Sequence, residues 1–181
     1  MTDAIFQEIK EELLHGMSEK EHPFRYCTMA TVGLDRMARL RTVVLRKVSP
    51  DLDLTFFTDR RSKKVVHIKE NKKVSALFYH PEKLLQVRVE GIGTVIKEKA
   101  LLQKYWDQVP IENRIAYTTT QAPGSTLSDP AKLEYLEDTA HFCIIQVHPF
   151  KIEYLKLARP QHIRVRFSME SDGWRKDYLV P

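Results

Sequence analysis

Apolar residues recur along this chain with two different periods, and each period predicts one type of element. Between residues 3 and 15 they lie three or four positions apart, at Ile5, Ile9 and Leu13, which predicts an amphipathic helix that ends near Gly16. From residue 26 onward most segments alternate apolar and polar residues, as half-buried strands do. The chain therefore begins with a helix and continues mainly as β structure.

The predicted strands form adjacent groups with helices inserted between them. Strands are predicted at 26–32, 38–48, 54–58, 74–79, 84–97, 142–147, 151–157, 163–167 and 174–180, and helices at 62–70, 98–117 (in two pieces broken at Pro110) and 130–137. Gly91 and Gly93 lie inside one long strand and predict a bulge or sharp bend. Because strands and helices do not alternate regularly, the pattern favours a mainly β fold, an antiparallel barrel with inserted helices, over a doubly wound parallel sheet.

Length and composition indicate one domain, residues 1–181, with residues 1–22 as an N-terminal helical extension. A hydrophobic fraction of 43% is enough for an ordinary core, and a net charge of +5 is compatible with anionic ligands. Cys27 and Cys143 lie in apolar segments and are expected to be buried free thiols. With no signal-peptide pattern and no apolar run of about 20 residues, we expect a cytoplasmic protein without a membrane partner.

An anion site is predicted where the strand ending at Thr58 meets the next helix. Ser62, Lys63 and Lys64 open that helix, so free backbone N–H groups, a hydroxyl and two cations lie together, and a phosphate is the natural occupant. The alternative is a serine cap followed by ordinary surface lysines. Lysine opposes the helix dipole at this position, which favours the ligand interpretation.

Other candidate residues carry weaker signals. Arg39, Arg41 and Lys47 fall on one face of the strand 38–48, which is either a solvated edge or a second part of the anion site. Gln86 lies between apolar residues, so its amide either contacts backbone or reads the edge of a heterocycle. His162, Arg164 and Arg166 share a face that is either solvated or ligand-binding.

Several kinds of site are not predicted. The seven histidines are scattered without HxH or HxxxH spacing, so no metal site is expected. No arrangement of residues identifies a catalytic nucleophile, and no GxGxxG or Walker loop is present. A nucleic-acid-binding barrel is an alternative suggested by the basic balance, but no aromatic-rich strand resembles a stacking platform.

The motifs together resemble the FMN-binding split-barrel family typified by pyridoxamine 5′-phosphate oxidase, over roughly residues 24–181. The segment Arg41-Thr42-Val43-Val44-Leu45-Arg46 is similar to the family's Arg-x-Val-Leu-Leu-Lys strand, and Phe57-Thr58 to its Tyr-Thr pair. Ser62-Lys63-Lys64 is similar to its Ser-Arg-Lys, and Gln86 begins a Gln-Val-x-Val-x-Gly strand. Gln121 lies where the family has a loop glutamine, and residues 174–181 resemble its Trp-Lys-x-x-Arg-Leu-x-Pro ending.

This resemblance implies a six-stranded antiparallel split barrel that works as a homodimer, with FMN at the subunit interface and a small-molecule substrate. It implies FMN contacts at Arg41, Thr42, Val43, Val44, Leu45, Phe57, Thr58, Ser62, Lys63, Lys64, Gln86, Gln121 and Arg164. Gln121 and Arg164 would come from the other chain. Arg46 and His162 are the implied substrate contacts.

Departures from the family pattern concern the substrate. The family's substrate-binding lysine is Arg46 here, its Tyr-x-x-x-Arg ends in Val109, and the first arginine of its Arg-x-His-x-Arg is Pro160. Leu155, beside Tyr154, replaces an aromatic residue that covers FMN. We therefore expect an FMN-dependent oxidoreductase with an altered substrate pocket. The alternatives are a genuine pyridoxine/pyridoxamine 5′-phosphate oxidase, with Arg46, Arg159 and Arg166 holding the substrate phosphate, and a flavin-binding protein without catalysis.

Overall fold

The alternating segments form one antiparallel sheet in the computed structural model, which describes residues 2–137 and 140–181. The strands are β1 (Tyr26–Val32), β2 (Ala38–Val48), β3 (Leu54–Asp59), β4 (Lys73–His80), β5 (Leu85–Val95), β6 (Phe142–Lys156), β7 (Ile163–Glu170) and β8 (Gly173–Leu179). The helices are α1 (Thr2–Ser18), α2 (Lys63–Glu70), α3 (Lys99–Asp107) and α4 (Ile111–Arg114). The predicted mainly β class is confirmed.

Closure of the sheet produces the barrel. The strand order is β3-β2-β1-β4-β5-β6-β7-β8, and an additional pairing of β3 with β6 closes the first six strands on themselves. The hairpin of β7 and β8 continues from the second half of β6, outside the closed ring. The predicted six-stranded antiparallel barrel is thus observed, with two further strands attached to it.

Strand β6 is the longest strand, and its continuity contradicts the prediction of two separate strands. Pro149 lies inside it, at a bulge where Gly91 pairs with Pro149 and the neighbouring Glu90 pairs with Lys151. Proline lacks an N–H group, but a bulge already interrupts the ladder, so the strand continues through it. A Cβ at Gly91 would lie 2.5 Å from the His148 carbonyl oxygen. The bulge predicted from the glycines is therefore confirmed.

Two helix predictions need correction. Helix α1 does not end at Gly16 but continues to Ser18. The helix predicted over 130–137 is wrong, because only a 3-10 turn, Pro130–Lys132, forms there. The Asp129 side chain accepts a hydrogen bond from the Ala131 N–H and starts this turn, and the chain then extends so that Tyr135 pairs with Thr119.

Helices α1 and α2 cover opposite ends of the barrel. Helix α1 packs Ile5, Ile9 and Leu13 into the core near the end of β4 and the start of β5. Helix α2 packs Ile68 beside Val74 and Gly93 at the other end. The largest fully buried side chains between them are Phe24, Met29, Leu45, Leu54, Phe56, Phe78, Leu85, Tyr154 and Phe167.

The two cysteines and the hydropathy of the helices can be compared with the expectations from composition. Cys27 and Cys143 are both free and buried, as predicted, and burial raises the pKa of Cys27 to about 12. Within the described part of the chain, no helix has the length and hydropathy needed to cross a lipid bilayer.

Gly16 sets the distance between α1 and the barrel. A Cβ at this position would lie 2.6 Å from the carbonyl carbon of Phe24 and 2.7 Å from its Cβ. Phe24 is itself fully buried and belongs to a 3-10 turn, Pro23–Arg25. The helix can therefore approach this turn only because residue 16 has no side chain.

We predict that Gly16→Ala destabilises the fold although alanine is the better helix former. Helix propensity favours alanine by about 1 kcal/mol, but overpacking of a tight contact costs about 1–3 kcal/mol, so a net loss in the free energy of unfolding is expected. Urea denaturation followed by circular dichroism measures it, with the exposed Glu11→Ala as the matched change on α1. Equal or higher stability of Gly16→Ala would show that the contact is not tight.

Candidate functional site

A cluster of hydroxyl groups and one ammonium forms where β3 leads into α2. Lys64 Nζ donates to Thr58 Oγ1 at 2.9 Å and to Ser62 Oγ at 3.3 Å, and the two hydroxyls are 3.3 Å apart. Thr58 and Ser62 are buried. Ser62 occupies the N-cap position of α2, but its side chain makes no capping hydrogen bond. The first N–H groups of the helix thus keep free hydrogen-bonding capacity beside Lys64.

Arg41 contributes a second cation to this end of the barrel. Its NH1 donates to Thr31 Oγ1 at 2.7 Å and to the Met29 carbonyl at 3.3 Å. Thr31 Oγ1 in turn lies 3.0 Å from His67 Nδ1, on α2. Thr31 Oγ1 therefore bridges the Arg41 guanidinium and the His67 ring, and this chain of contacts fixes the guanidinium.

Neither cation forms an ion pair with a carboxylate in the part of the chain that the structure describes. Among residues 2–137 and 140–181, no carboxylate lies within ion-pair distance of Arg41 or Lys64, although both are half-buried. Burial lowers the pKa of Lys64, and the nearby Arg41 lowers it further. Burial also lowers the pKa of Arg41. Two partly desolvated cations beside a helix N-terminus favour a doubly charged anion such as a phosphate monoester.

The gap between β2 and β3 borders this cluster. In the described residues, β3 pairs with β2 only at Leu45, Lys47 and Val48, so the strands diverge beyond Leu45. Backbone groups of Val43 and Val44 on that side are therefore free of β3. The side chain of Leu45 is fully buried in the core, so only its backbone can face a ligand in the gap. Thr42 is exposed, and Lys63 is exposed at the start of α2.

A bulge at Arg46 changes the predicted face of Lys47. Leu45 pairs with Phe56 and Lys47 with Thr55, so Arg46 is an extra residue and the side-chain alternation shifts by one. The prediction that Lys47 shares a face with Arg41 is therefore wrong. Lys47 instead lies beside Arg46 on the outer side of the barrel.

Arg46 and Lys47 face a cavity of about 430 Å³. The Arg46 guanidinium lies 5.7 Å from the centre of the Phe57 ring, and Lys47 Nζ lies 5.6 Å from that of Tyr105. Arg46 Nε is buried without a hydrogen-bond partner in the described chain. The cavity is lined by Met17, Arg46, Lys47, Phe57, Lys104, Tyr105, Gln108, Val109, Pro110 and Asn113. It combines aromatic walls with three cations, so an aromatic anion suits it.

Gln86 and Arg164 lie on a different part of the surface. They flank Leu155 in one row across β5, β6 and β7, on a common face of the sheet. Arg164 donates two hydrogen bonds to Glu153 Oε1, at 2.6 and 3.1 Å, and Arg88 donates to Glu153 Oε2 at 2.9 Å. Because Glu153 is buried between two guanidinium groups, the orientation of Arg164 is fixed.

His162 lies near Arg164, whereas Tyr154 lies in the core. His162 Nδ1 accepts a hydrogen bond from the Ala158 N–H at 3.2 Å, and the residue lines a cavity with Arg164. Tyr154 is buried in the core and donates to Glu8 at 2.8 Å, so it cannot replace an aromatic residue on the face of Leu155. No described contact joins Gln86, Arg164 or His162 to the Arg41–Lys64 cluster.

Gln121 is exposed in a loop that Arg61 ties to the anion site. Arg61 donates to the carbonyls of Thr119 and Thr120 at 2.8 and 2.9 Å. The buried Asp59 holds its guanidinium at 2.7 Å and raises the pKa of Arg61. Sequence reasoning missed this link, as it missed Thr31 and His67, because their partners lie tens of residues away. An arginine two positions after an aspartate at a strand end was the available signal.

Acid sensitivity follows from the environment of His67. Burial lowers the pKa of His67 from 6.5, and Arg41 and Arg39 lower it further. As the pH falls below about 6.5, His67 therefore becomes protonated in the unfolded chain before it does so in the folded chain. The free energy of unfolding then falls by at most about 1.4 kcal/mol per pH unit for this group. Above that pH the contribution is constant.

We predict that His67→Asn loses less stability than the natural chain between pH 7.5 and 5.5, because asparagine can still form a hydrogen bond with Thr31 but does not titrate. Urea denaturation at the two pH values measures this difference. His148→Asn, which changes an exposed histidine, serves as the control. An equal acid loss in His67→Asn and the natural chain would contradict the assignment.

Comparison with known proteins shows the family of this chain. The family model described as "Pyridoxamine 5′-phosphate oxidase, FMN-binding domain" matches residues 4–97, just over half of the chain. A pyridoxine/pyridoxamine 5′-phosphate oxidase of Thermosynechococcus vestitus is 31% identical, over 100% of this chain and 85% of that protein.

Two solved structures share the fold. A pyridoxamine 5′-phosphate oxidase-related, FMN-binding protein of Nostoc punctiforme superimposes with a TM-score of 0.80 and 21% identity, covering 97% of each chain. PhzG of Burkholderia lata, solved with tetrahydrophenazine-1-carboxylic acid, gives a TM-score of 0.80 and 18% identity, covering 98% of this chain and 92% of that one. With the family model and the relative that spans the whole chain, they lead to one conclusion: this chain belongs to the pyridoxamine 5′-phosphate oxidase family of FMN-binding split barrels.

Proposed function

We propose that this chain is an FMN-dependent oxidoreductase whose substrate pocket differs from that of pyridoxamine 5′-phosphate oxidases. The observation that carries the proposal is a pair of half-buried cations, Arg41 and Lys64, at the N-terminus of α2. Neither has a carboxylate partner in the described part of the chain. They lie inside the segment that matches the FMN-binding family model. A flavin phosphate would supply the missing negative charge.

The residues fit FMN in two groups. In the first, Arg41, Thr58, Ser62, Lys63 and Lys64 would hold the phosphate and ribityl end. The backbone of residues 43–45, of which Val43 and Val44 are free of β3, would face the ring, beside Thr42 and Phe57. In the second, Gln86, Gln121 and Arg164 would contact the ring and its surroundings. Bound FMN would supply a two-electron acceptor at N5.

The separation of these groups supports a homodimeric site. Arg164 and its row lie on another face of the barrel from the Arg41–Lys64 cluster, so one protomer does not assemble all of the contacts. A second copy of the chain would bring Gln121 and Arg164 to the phosphate site of the first. We take residues 1–181 as a single domain with residues 1–22 as an extension, and the buried free thiols favour a reducing, cytoplasmic location.

The cavity at Arg46 is the proposed substrate pocket. Arg46, Lys47 and Lys104 provide positive charge, and Phe57 and Tyr105 provide aromatic walls. Val109 lines the same cavity where the family pattern has an arginine, so one guanidinium contact to a substrate phosphate is absent. His162, on the second face, would reach a substrate only from the partner chain.

One alternative has its own support. A relative named pyridoxine/pyridoxamine 5′-phosphate oxidase is 31% identical along the whole chain, which favours a genuine oxidase that holds the substrate phosphate with Arg46, Arg159 and Arg166. A non-catalytic flavin-binding protein is the second alternative. All three hypotheses include bound FMN. They differ in whether a substrate reduces the flavin and in which substrate does so.

We predict that Arg41→Gln combined with Lys64→Gln weakens FMN binding by at least about 100-fold, because each charge-assisted contact contributes about 1.5–3 kcal/mol. The purified protein should lose its flavin absorption, and titration with FMN measures the affinity. Lys69→Gln removes an exposed lysine from the same helix and should retain the cofactor. A double variant that purifies with full flavin would place the phosphate elsewhere.

We predict that pyridoxamine 5′-phosphate reduces the bound flavin at least about tenfold less efficiently than it does in an oxidase with the complete arginine set, because losing an anion contact costs about 1.5–3 kcal/mol. Anaerobic bleaching of the flavin band measures reduction by pyridoxamine 5′-phosphate, by reduced nicotinamides and by aromatic carboxylates. Arg46→Gln should slow reduction by an anionic donor while FMN stays bound.

Fast reduction with formation of pyridoxal 5′-phosphate would establish the genuine oxidase instead. Flavin that none of these donors reduces would establish the non-catalytic alternative.

A further inference from the structure

Three potential metal ligands meet at the end of the barrel that α1 covers, away from the proposed FMN site. They are Glu12 on α1, His22 at the start of the 3-10 turn, and His80 at the end of β4. One donor atom from each lies within 4.8 Å of the other two. Glu12 is 4% exposed and His80 6%, so the donors converge in a nearly closed space.

The carboxylate of Glu12 is only partly satisfied. Its Oε1 contacts Lys83 Nζ. Its Oε2 is buried and has no hydrogen-bond partner among the described residues, although His22 Nε2 lies 3.4 Å away. A buried carboxylate oxygen without a partner is costly, and a cation between it and the imidazoles would remove that cost.

The spacing suits a small divalent ion. Donors about 2.0–2.1 Å from a tetrahedral zinc ion lie about 3.3 Å from one another, close to the 3.4 Å between His22 Nε2 and Glu12 Oε2. The other pairs lie within 4.8 Å and would have to approach to that spacing. Two histidines and one carboxylate are a known ligand set for zinc, and nitrogen donors disfavour Mg²⁺ and Ca²⁺.

In both histidines, Nδ1 accepts a hydrogen bond from a backbone N–H. His22 Nδ1 accepts from the Phe24 N–H at 3.2 Å, and His80 Nδ1 accepts from the Lys83 N–H at 3.4 Å. These contacts are long, and they leave Nε2 of each ring as the nitrogen available to an ion. A neutral ring in this state carries its proton on Nε2. A neutral imidazole that binds the ion through Nε2 must instead carry the proton on Nδ1, which can then no longer accept from the backbone. Binding therefore costs both backbone contacts and is weaker than in a closed structural zinc site.

We propose that Glu12, His22 and His80 form a binding site for Zn²⁺ or a similar divalent transition-metal ion, which fastens α1 to the barrel. Lys83 competes for the same carboxylate, and its partly exposed side chain can move to solvent when the ion binds. The three ligands come from segments far apart in the sequence, which is why histidine spacing alone does not reveal them. The proposal does not depend on FMN or on any activity.

The experiment is calorimetric titration of the full chain, treated with a chelator and then dialysed, with ZnCl₂, accompanied by thermal unfolding with and without the ion. We expect one zinc ion per chain and a higher unfolding midpoint, and no effect of MgCl₂. Glu12→Gln and His80→Gln should each weaken binding by about 100-fold or more, since even the loss of an outer-shell partner costs about 10- to 100-fold. His148→Gln removes an exposed histidine and should leave binding unchanged.

Lys83→Met provides a test that does not remove a ligand. Loss of the competing ammonium should tighten zinc binding. If Lys83 and Glu12 form only a structural ion pair, the variant should instead be less stable and bind zinc no more tightly. Absence of zinc binding in both the natural chain and Lys83→Met would overturn the proposal. Binding that persists unchanged in the folded Glu12→Gln or His80→Gln variants would also overturn it, because the ion would then lie at other residues.

Discussion

The fold depends on the double pairing of β6. Its first half pairs with β3 and closes the barrel, while its second half carries β7 and the outer hairpin. One strand can serve both purposes only because the bulge at Gly91 and Pro149 lets it bend without ending. The closure also positions the end of β3, and with it Thr58, Asp59 and the turn into α2. The geometry of the anion site is therefore a consequence of a contact between distant parts of the chain.

The half-buried cations of the candidate site differ from those on the outer strands. There the cations are paired: Arg164 and Arg88 share Glu153, Arg166 contacts Asp177, and Lys151 contacts Glu90. At the gap between β2 and β3, Arg41 and Lys64 are partly desolvated and repel each other. This repulsion lowers the free energy of unfolding of the ligand-free protein, and a bound anion would raise it again. Binding sites commonly reduce stability in this way.

The sequence was sufficient for the parts of the fold that local chemistry determines. Alternation gave the strands, and the glycines at 91 and 93 gave the bulge, because each signal lies within a few residues. The hydroxyl and lysines of the turn 58–64 are also local, and the structure brings Thr58, Ser62 and Lys64 together. The grouping of the strands favoured an antiparallel barrel, and the resemblance to a known family added the number of its strands and the expectation of FMN.

Long-range contacts explain what the sequence did not reveal. The bulge at Arg46 depends on the register of β3, which no pattern within β2 encodes, and so the face of Lys47 was predicted wrongly. Continuity of β6 through Pro149 depends on the partner strand β5. The Thr31–His67 support of Arg41 joins residues 36 positions apart. Each of these features is decided by tertiary pairing, which overrides local propensity.

Arg61 connects the end of β3 to the loop that contains Gln121. One guanidinium binds Asp59 at the strand end and the carbonyls of Thr119 and Thr120 in the loop. A ligand that orders the turn after β3 would therefore also favour the docked loop, and a partner that captures the loop would favour the ligand by the same factor. Release of such a ligand and opening of the loop would then be coupled through Arg61, and the position of this loop would contribute to the residence time of a bound molecule.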